Sequence, residues 1–244
     1  MGKMIDIPGG PPAYEVQPDG ECRGGLLVIH EVWGLTDHIK DVAERFAREG
    51  YYVLAPDLIS DTEIAAHLTP NMAQDLFNPE KRNAIQPKLR GLMAPLQAPG
   101  FAEAATANVK ACFDYLYQQP VVAQRVAVAG YCFGGTYSYN LAVAEPRLKA
   151  AVPFYGHASQ SAEELRSITC PILAFLGEQD ERLVAELPDL QAHMQAAGVD
   201  FKAQVYPDCG HAFFNDSNPF AYNAAAAKDA WRRTLEFLDQ QLPA

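Results

Sequence analysis

The sequence predicts an α/β protein in which a doubly wound, mostly parallel sheet carries helices on both faces. Three observations lead there. Continuous apolar runs such as GGLLVIHE (24–31), RVAVAG (125–130) and PILAFLGEQD (171–180) read as strands covered on both sides. Between them lie stretches whose apolar residues recur at helical spacing. The two kinds of run alternate along the chain with no internal repeat and no low-complexity linker, so residues 1–244 are assigned to a single domain.

The elements follow in order. After the strand at 24–31, TDHIKDVAERFAREG places Ile39, Val42, Ala43 and Phe46 on one helix face, with Asp37 as N-cap and Gly50 as the stop. His38 falls on its solvated side. YYVLAPDL (51–58) is the next strand. Residues 59 to about 100 carry several prolines and mixed charge, and read as short helices and loops over the edge or mouth of the sheet. A helix over 101–119 turns Val109, Cys112, Phe113, Leu116 and Tyr117 inward. Then come strand 125–130, a helix from about Gly134, strands 149–156 and 171–180, and a helix over 184–198 interrupted by Pro188. Strand 201–207 and a closing helix, with Trp231, Leu235 and Leu238 as its buried stripe, complete the chain.

Composition narrows the function. With 49% hydrophobic and 20% charged residues the chain can bury a sizeable core. A net charge of −11 without a basic patch argues against nucleic-acid binding. No apolar run is long enough to span a bilayer, so no membrane partner is expected. The opening stretch lacks the apolar core of a signal peptide, and Asp6 stands where N-myristoylation needs Ser or Thr. The five cysteines (22, 112, 132, 170, 209) are odd in number and form no CxxC pair, as expected of a reduced, cytoplasmic protein without a structural metal.

The chemistry concentrates at Gly130-Tyr131-Cys132-Phe133-Gly134, which matches the Gly-x-Ser-x-Gly nucleophile elbow with cysteine at its centre. The elbow needs small flanking residues because strand and helix backbones nearly touch there. In return the central side chain stands above the carboxyl edge of the sheet at a helix start, where backbone N–H groups stabilise anions. A buried, inert cysteine is the competing assignment. A nucleophile needs a base, and the base an orienting acid, and in such a sheet they follow in the order nucleophile, acid, base. Asp180, with Glu178 as runner-up, ends the strand at 171–180, and His211 follows the strand at 201–207. Asp208 and Cys209 shape that last turn. Val32 and Phe133 are placed to give the two oxyanion N–H groups. Glu31 could hydrogen-bond the thiol or a substrate, or be an exposed strand-end charge. Trp33 could wall the pocket, and His30 and His157 could line it.

Together these residues resemble the dienelactone hydrolase (carboxymethylenebutenolidase-like) family of the α/β-hydrolase superfamily. The resemblance runs from about residue 10 to 240 and is carried by Glu31 in HEVWGL, APDL at 55–58, GYCFGG at 130–135, GEQD at 177–180 and GHAFF at 210–214. It implies the α/β-hydrolase fold, a Cys132–His211–Asp180 triad, no cofactor, and small unsaturated lactones bearing a carboxylate as substrates. It further implies that Glu31 holds the resting thiol and moves when substrate arrives. The sequence departs from the family where an arginine is expected four residues beyond the histidine and Asn215 stands instead. A second carboxylate-binding arginine is matched by Arg82.

The expected function is therefore a cofactor-free hydrolase acting on a small-molecule ester or lactone through an acyl-cysteine intermediate. A carboxylesterase of broader specificity is the alternative within enzymes. A ligand-binding or oxidant-sensing thiol protein of the same fold is the alternative outside them.

Overall fold

In the computed structural model, which describes residues 2–98 and 100–243, two short strands open the chain: β1 (Lys3–Ile5) and β2 (Ala13–Val16). The alternation follows: β3 (Gly24–Ile29), α1 (Asp37–Arg48) and β4 (Tyr51–Pro56). Three helices, α2 (Glu63–His67), α3 (Pro70–Phe77) and α4 (Arg82–Met93), then precede the long α5 (Phe101–Tyr117). The second half runs β5 (Val126–Tyr131), α6 (Phe133–Ala144), β6 (Ala150–Phe154), β7 (Ile172–Gly177), α7 (Glu181–Ala197), β8 (Phe201–Tyr206) and α8 (Ala224–Gln241).

The strands form one sheet in the order β1-β2-β4-β3-β5-β6-β7-β8. From β4 to β8 every pairing is parallel, and β1 and β2 join antiparallel at one edge. Parallel strands must be covered on both faces, and these are: all six residues of β3, β4 and β5 are buried. The period of two divides them cleanly. Leu26, Val28, Val53, Ala129, Val152 and Phe175 pack with side chains of α1 and α8. Leu27, Ile29, Leu54, Val128 and Ala151 pack with those of α5 and α6 on the other face. Each such fully buried Leu or Ile contributes about 1.5–3 kcal/mol.

Several sequence expectations are corrected. The α1 N-cap is Thr36, and Asp37 is the first helical residue, where its charge meets the positive helix end. Helix α7 begins at Glu181 and continues through Pro188, which costs one backbone bond while Leu183, Leu187 and Met194 stay buried around it. In α8 the stripe is Ala226, Ala230, Thr234, Phe237 and Leu238; Trp231 and Leu235 are only half-buried. Tyr117 on α5 is likewise half-buried. No expectation covered β1 or β2.

Because β3, β5, β7 and β8 run the same way, the segments leaving their carboxyl ends gather at one edge of the sheet. Those segments carry Glu31, Cys132, Asp180 and His211.

Candidate active site

The turn between β5 and α6 is built by close backbone contact. Cys132 takes φ +55°, ψ −110°, a conformation unfavourable for an L-residue and retained only where its surroundings enforce it. Its N–H donates to Phe154 O at 3.0 Å, and the next helical turn bonds back through Thr136 N–H to Cys132 O at 3.2 Å. A Cβ on Gly134 would lie 2.2 Å from Ile29 O, so only glycine lets α6 start against the end of β3. The Gly134 N–H then donates to His30 O at 3.0 Å. These contacts bring the end of β3 beside the first turn of α6. Among the described residues neither the Val32 nor the Phe133 N–H is taken up by another backbone acceptor. Both remain free to serve an oxyanion.

The loop after β8 is pinned with similar economy. A Cβ on Gly177 would meet Cys209 O at 2.4 Å, and the Gln179 N–H donates to Cys209 O at 2.8 Å. The ends of β7 and β8 are thereby clamped, and His211 Nδ1 lies 2.5 Å from Asp180 Oδ2. A carboxylate on Nδ1 makes that nitrogen the donor and leaves Nε2 for the substrate side. Burial alone would weaken the basicity of His211. Its neighbours Cys132 and Asp180, through charge and hydrogen bonding, more than reverse this and hold the imidazole well above its ordinary range. Tyr155, itself at φ +39°, packs its ring 5.0 Å from that of His211. Glu178 takes the Asp208 N–H at 3.2 Å on the surface, which leaves Asp180 as the acid on the histidine.

Glu31 is 3% exposed. Its oxygens accept from Asn215 Nδ2 at 2.6 Å and from the Tyr155 hydroxyl at 3.3 Å. Burial raises its carboxyl, and nearby His38, the Asn215 hydrogen bond, His211 and Tyr155 pull it part of the way back. Two cavities flank this centre. One, about 580 Å³, is lined by Asp180, His211 and Arg82 together with Phe77 and Phe220. The other, about 500 Å³, is lined by Glu31, Trp33, His38 and Asn215, with Ile59 and Leu68 among its apolar walls.

The sequence model described as the Dienelactone hydrolase family matches residues 12–242. The chain belongs to the dienelactone hydrolase family. Among its relatives is a protein of Saccharolobus solfataricus provisionally named carboxymethylenebutenolidase, 35% identical over 231 residues, covering 87% of this chain and 88% of that one. A likewise provisionally named protein of Escherichia coli is 30% identical over 242 residues, covering 94% and 82%. A crystal structure from Klebsiella pneumoniae, provisionally named a dienelactone hydrolase, superposes with a TM-score of 0.81 at 24% identity over 98% of each chain. The sheet order and this superposition establish the α/β-hydrolase fold.

Against the dienelactone hydrolase pattern, the structure brings Cys132, His211 and Asp180 together, with Phe133 next to Cys132 at the start of α6. Trp33 and Arg82 wall the two cavities, Arg82 as an exposed side chain at the first turn of α4. Two expectations for histidines change. His30, thought a possible lining residue, is fully buried: its Nε2 accepts the Leu58 N–H at 3.0 Å and its Nδ1 meets Glu31 O at 2.6 Å, tying the ends of β3 and β4 together. His38, expected on a solvated face, is buried against Asp216. His157 faces Glu186 at 2.7 Å in a separate cavity of about 250 Å³. Glu31 is neither an exposed charge nor hydrogen-bonded to the thiol; its oxygens are taken by Asn215 and Tyr155. Sequence reasoning missed Tyr155, although FYG closes a strand at the same sheet edge as the elbow.

No helix among the described residues is long and apolar enough to cross a membrane.

Proposed function

We propose that this chain hydrolyses a small activated ester or lactone through a cysteine nucleophile and an acyl-enzyme intermediate. The observation that supports this best is the strained, glycine-flanked Cys132 at the start of α6, adjoining a histidine whose far nitrogen is held by a carboxylate at 2.5 Å.

In this mechanism the Cys132 sulfur, its proton resident on His211 Nε2, attacks the carbonyl carbon. The carbonyl oxygen becomes an oxyanion that accepts from the Val32 and Phe133 N–H groups; removing one such donor typically costs about 10²–10³ in rate. Collapse expels the leaving oxygen, which takes the imidazolium proton and leaves His211 neutral. His211 then removes a proton from water, the hydroxide attacks the thioester, and the thiolate departs with the carboxylic acid released. A thiolate leaves more readily than an ordinary alkoxide, so the first adduct partitions backwards unless the leaving oxygen is stabilised. The preferred substrates are therefore lactones and esters that release an enolate or another weakly basic oxygen, over plain fatty-acyl esters.

Arg82, in the cavity that holds His211, is the cation suited to a substrate carboxylate. Asn215 is engaged with Glu31 and offers no positive charge, which favours esters without a carboxylate alongside the carboxylated lactones. The test is hydrolysis of p-nitrophenyl acetate and of a dienelactone by wild type, Cys132→Ala and Cys132→Ser, with mass spectrometry for an acyl adduct. The expected result is loss of turnover in the alanine variant and an adduct on Cys132 in wild type. Full activity in Cys132→Ala ends the proposal.

A further inference from the structure

Among the described residues four large apolar side chains stand exposed, and two of them line the cavity of about 580 Å³ that holds His211. These are Phe220, 52% exposed, and Tyr222, 39% exposed. The half-buried Phe77 of α3 lines the same cavity. Elsewhere the chain covers its rings: Phe154, Phe175 and Phe213 are fully buried. Exposed apolar surface gathered in one cleft marks a binding site.

The turn that carries the two exposed rings is held from below. Asn218 is buried; its side-chain oxygen accepts the Phe220 N–H at 3.2 Å, and its backbone oxygen accepts the N–H groups of Ala221 and Tyr222 at 3.1 and 3.0 Å. Its Nδ2 donates to Ala73 O in α3 at 3.3 Å. The Asn223 N–H donates to Phe213 O at 2.9 Å, just past His211. One buried amide thus ties residues 218–222 to α3, and the next residue ties them to the histidine loop, so the rings stay at the cavity instead of folding away.

The mechanism above decides what belongs beside them. When the C–O bond breaks, its electron pair goes to the leaving oxygen, and the proton on His211 Nε2 passes to that oxygen. The leaving group therefore departs on the His211 side of the carbonyl, where this cavity lies. An attacking thiolate requires that the leaving oxygen be weakly basic. A phenolic oxygen meets that requirement, and its ring offers a flat apolar face to neighbouring aromatic side chains.

We propose that this cavity receives the leaving group, that its occupant is an aryl ring, and that Phe220 and Tyr222 determine a preference for aryl esters. This rests on the reading under Proposed function and names the substrate class within it. Acylation of Cys132 releases the free phenol, and hydrolysis of the thioester then proceeds as for any other ester of the same acid.

The experiment compares 2-naphthyl acetate with vinyl acetate, which releases an enol, in the full-length wild type, Phe220→Ala, Phe220→Leu and Tyr222→Leu. Both esters leave the same acetyl group on the enzyme, so the ratio of their kcat/KM values isolates the leaving group. Loss of either ring is expected to lower the naphthyl-to-vinyl ratio about five- to tenfold. Phe220→Leu, which keeps an apolar side chain but no ring, serves if Phe220→Ala does not fold. A ratio within about twofold of wild type in the folded variants overturns the proposal. Failure of the wild type to turn over either ester would count against the nucleophile instead, and binding of 2-naphthol, followed by its fluorescence, then decides the cavity. A Kd weakened about fivefold or more in Phe220→Ala supports the aryl site whatever the nucleophile, and an unchanged Kd refutes it.

Discussion

Replacing Gly130 with alanine tests how tightly the elbow is built. An added Cβ would sit 2.0 Å from Gly134 O, 2.3 Å from its carbonyl carbon and 2.4 Å from Ser138 Oγ. An ordinary C···O approach is about 3.3 Å, so β5 and α6 would have to part by roughly 1.3 Å. The obstruction is backbone, and Ser138 is itself tied to Gly134 O at 2.9 Å, so no flexible side chain can absorb the strain. Overpacking of this kind costs about 1–3 kcal/mol. A displacement of about 1 Å in a nucleophile costs about 10²-fold in rate. Urea unfolding and p-nitrophenyl acetate hydrolysis, run side by side, should show both losses. Gly91, inside α4 with nothing near its added Cβ, is the control; its alanine variant should gain up to about 1 kcal/mol with unchanged activity. A Gly130→Ala protein within about 0.5 kcal/mol of wild type and fully active would refute the close-packed elbow.

Arg82→Ala should raise KM for a carboxylated lactone about tenfold and leave a neutral acetate unaffected; equal effects on both would remove Arg82 from substrate recognition. Glu145 is buried, and hydrogen bonds from Arg147 at 2.6 and 2.7 Å pull its carboxyl from an ordinary 4.5 to about 2, against its burial. The folded value is depressed, so the stabilisation is complete above pH 4.5 and disappears as pH falls through about 2, an effect of at most about 3 kcal/mol. Urea unfolding of wild type and Glu145→Gln across that range should show the difference between them shrinking in acid; a constant difference contradicts the assignment. Burial pushes the Cys112 and Cys170 thiols up to about 12 and raises that of Cys209. Iodoacetamide near neutral pH should therefore label Cys112 and Cys170 at least about 10²-fold more slowly than the half-buried Cys132, and Cys209 more slowly as well; peptide mapping that finds Cys112 or Cys170 modified first would overturn that order.

The parallel part of the sheet was legible because strands buried on both faces must be apolar throughout, as β3, β4 and β5 are. The antiparallel edge was not. Strands of three and four residues carry little periodicity, and β2 contains Glu15, a buried acid whose partners Tyr52 and Tyr115 come from β4 and α5. Cys132, Asp180 and His211, the proposed nucleophile, acid and base, could be picked out because each follows a recognisable strand. Their supporting groups depend on pairings that no local pattern encodes: Asp216 meets His38 across 178 positions, and Asn215 meets Glu31 across 184. A signal for His38 did exist. Residues 38, 42 and 46 form an i, i+4 row with two certain core members, and a histidine completing such a row belongs inside.

Helices α2, α3 and α4 bury only Ile64 and Leu89 outright among their described side chains, yet they contribute Ala65, Leu68, Phe77 and Arg82 to the two cavities. Under the proposed function, selection and catalysis reside in different material: the reactive groups stand at the ends of interior strands, while the side chains that would select substrates ride on a lightly rooted canopy. Changes in that canopy carry little stability penalty. New substrate preferences can arise there one substitution at a time without disturbing the sulfur beneath.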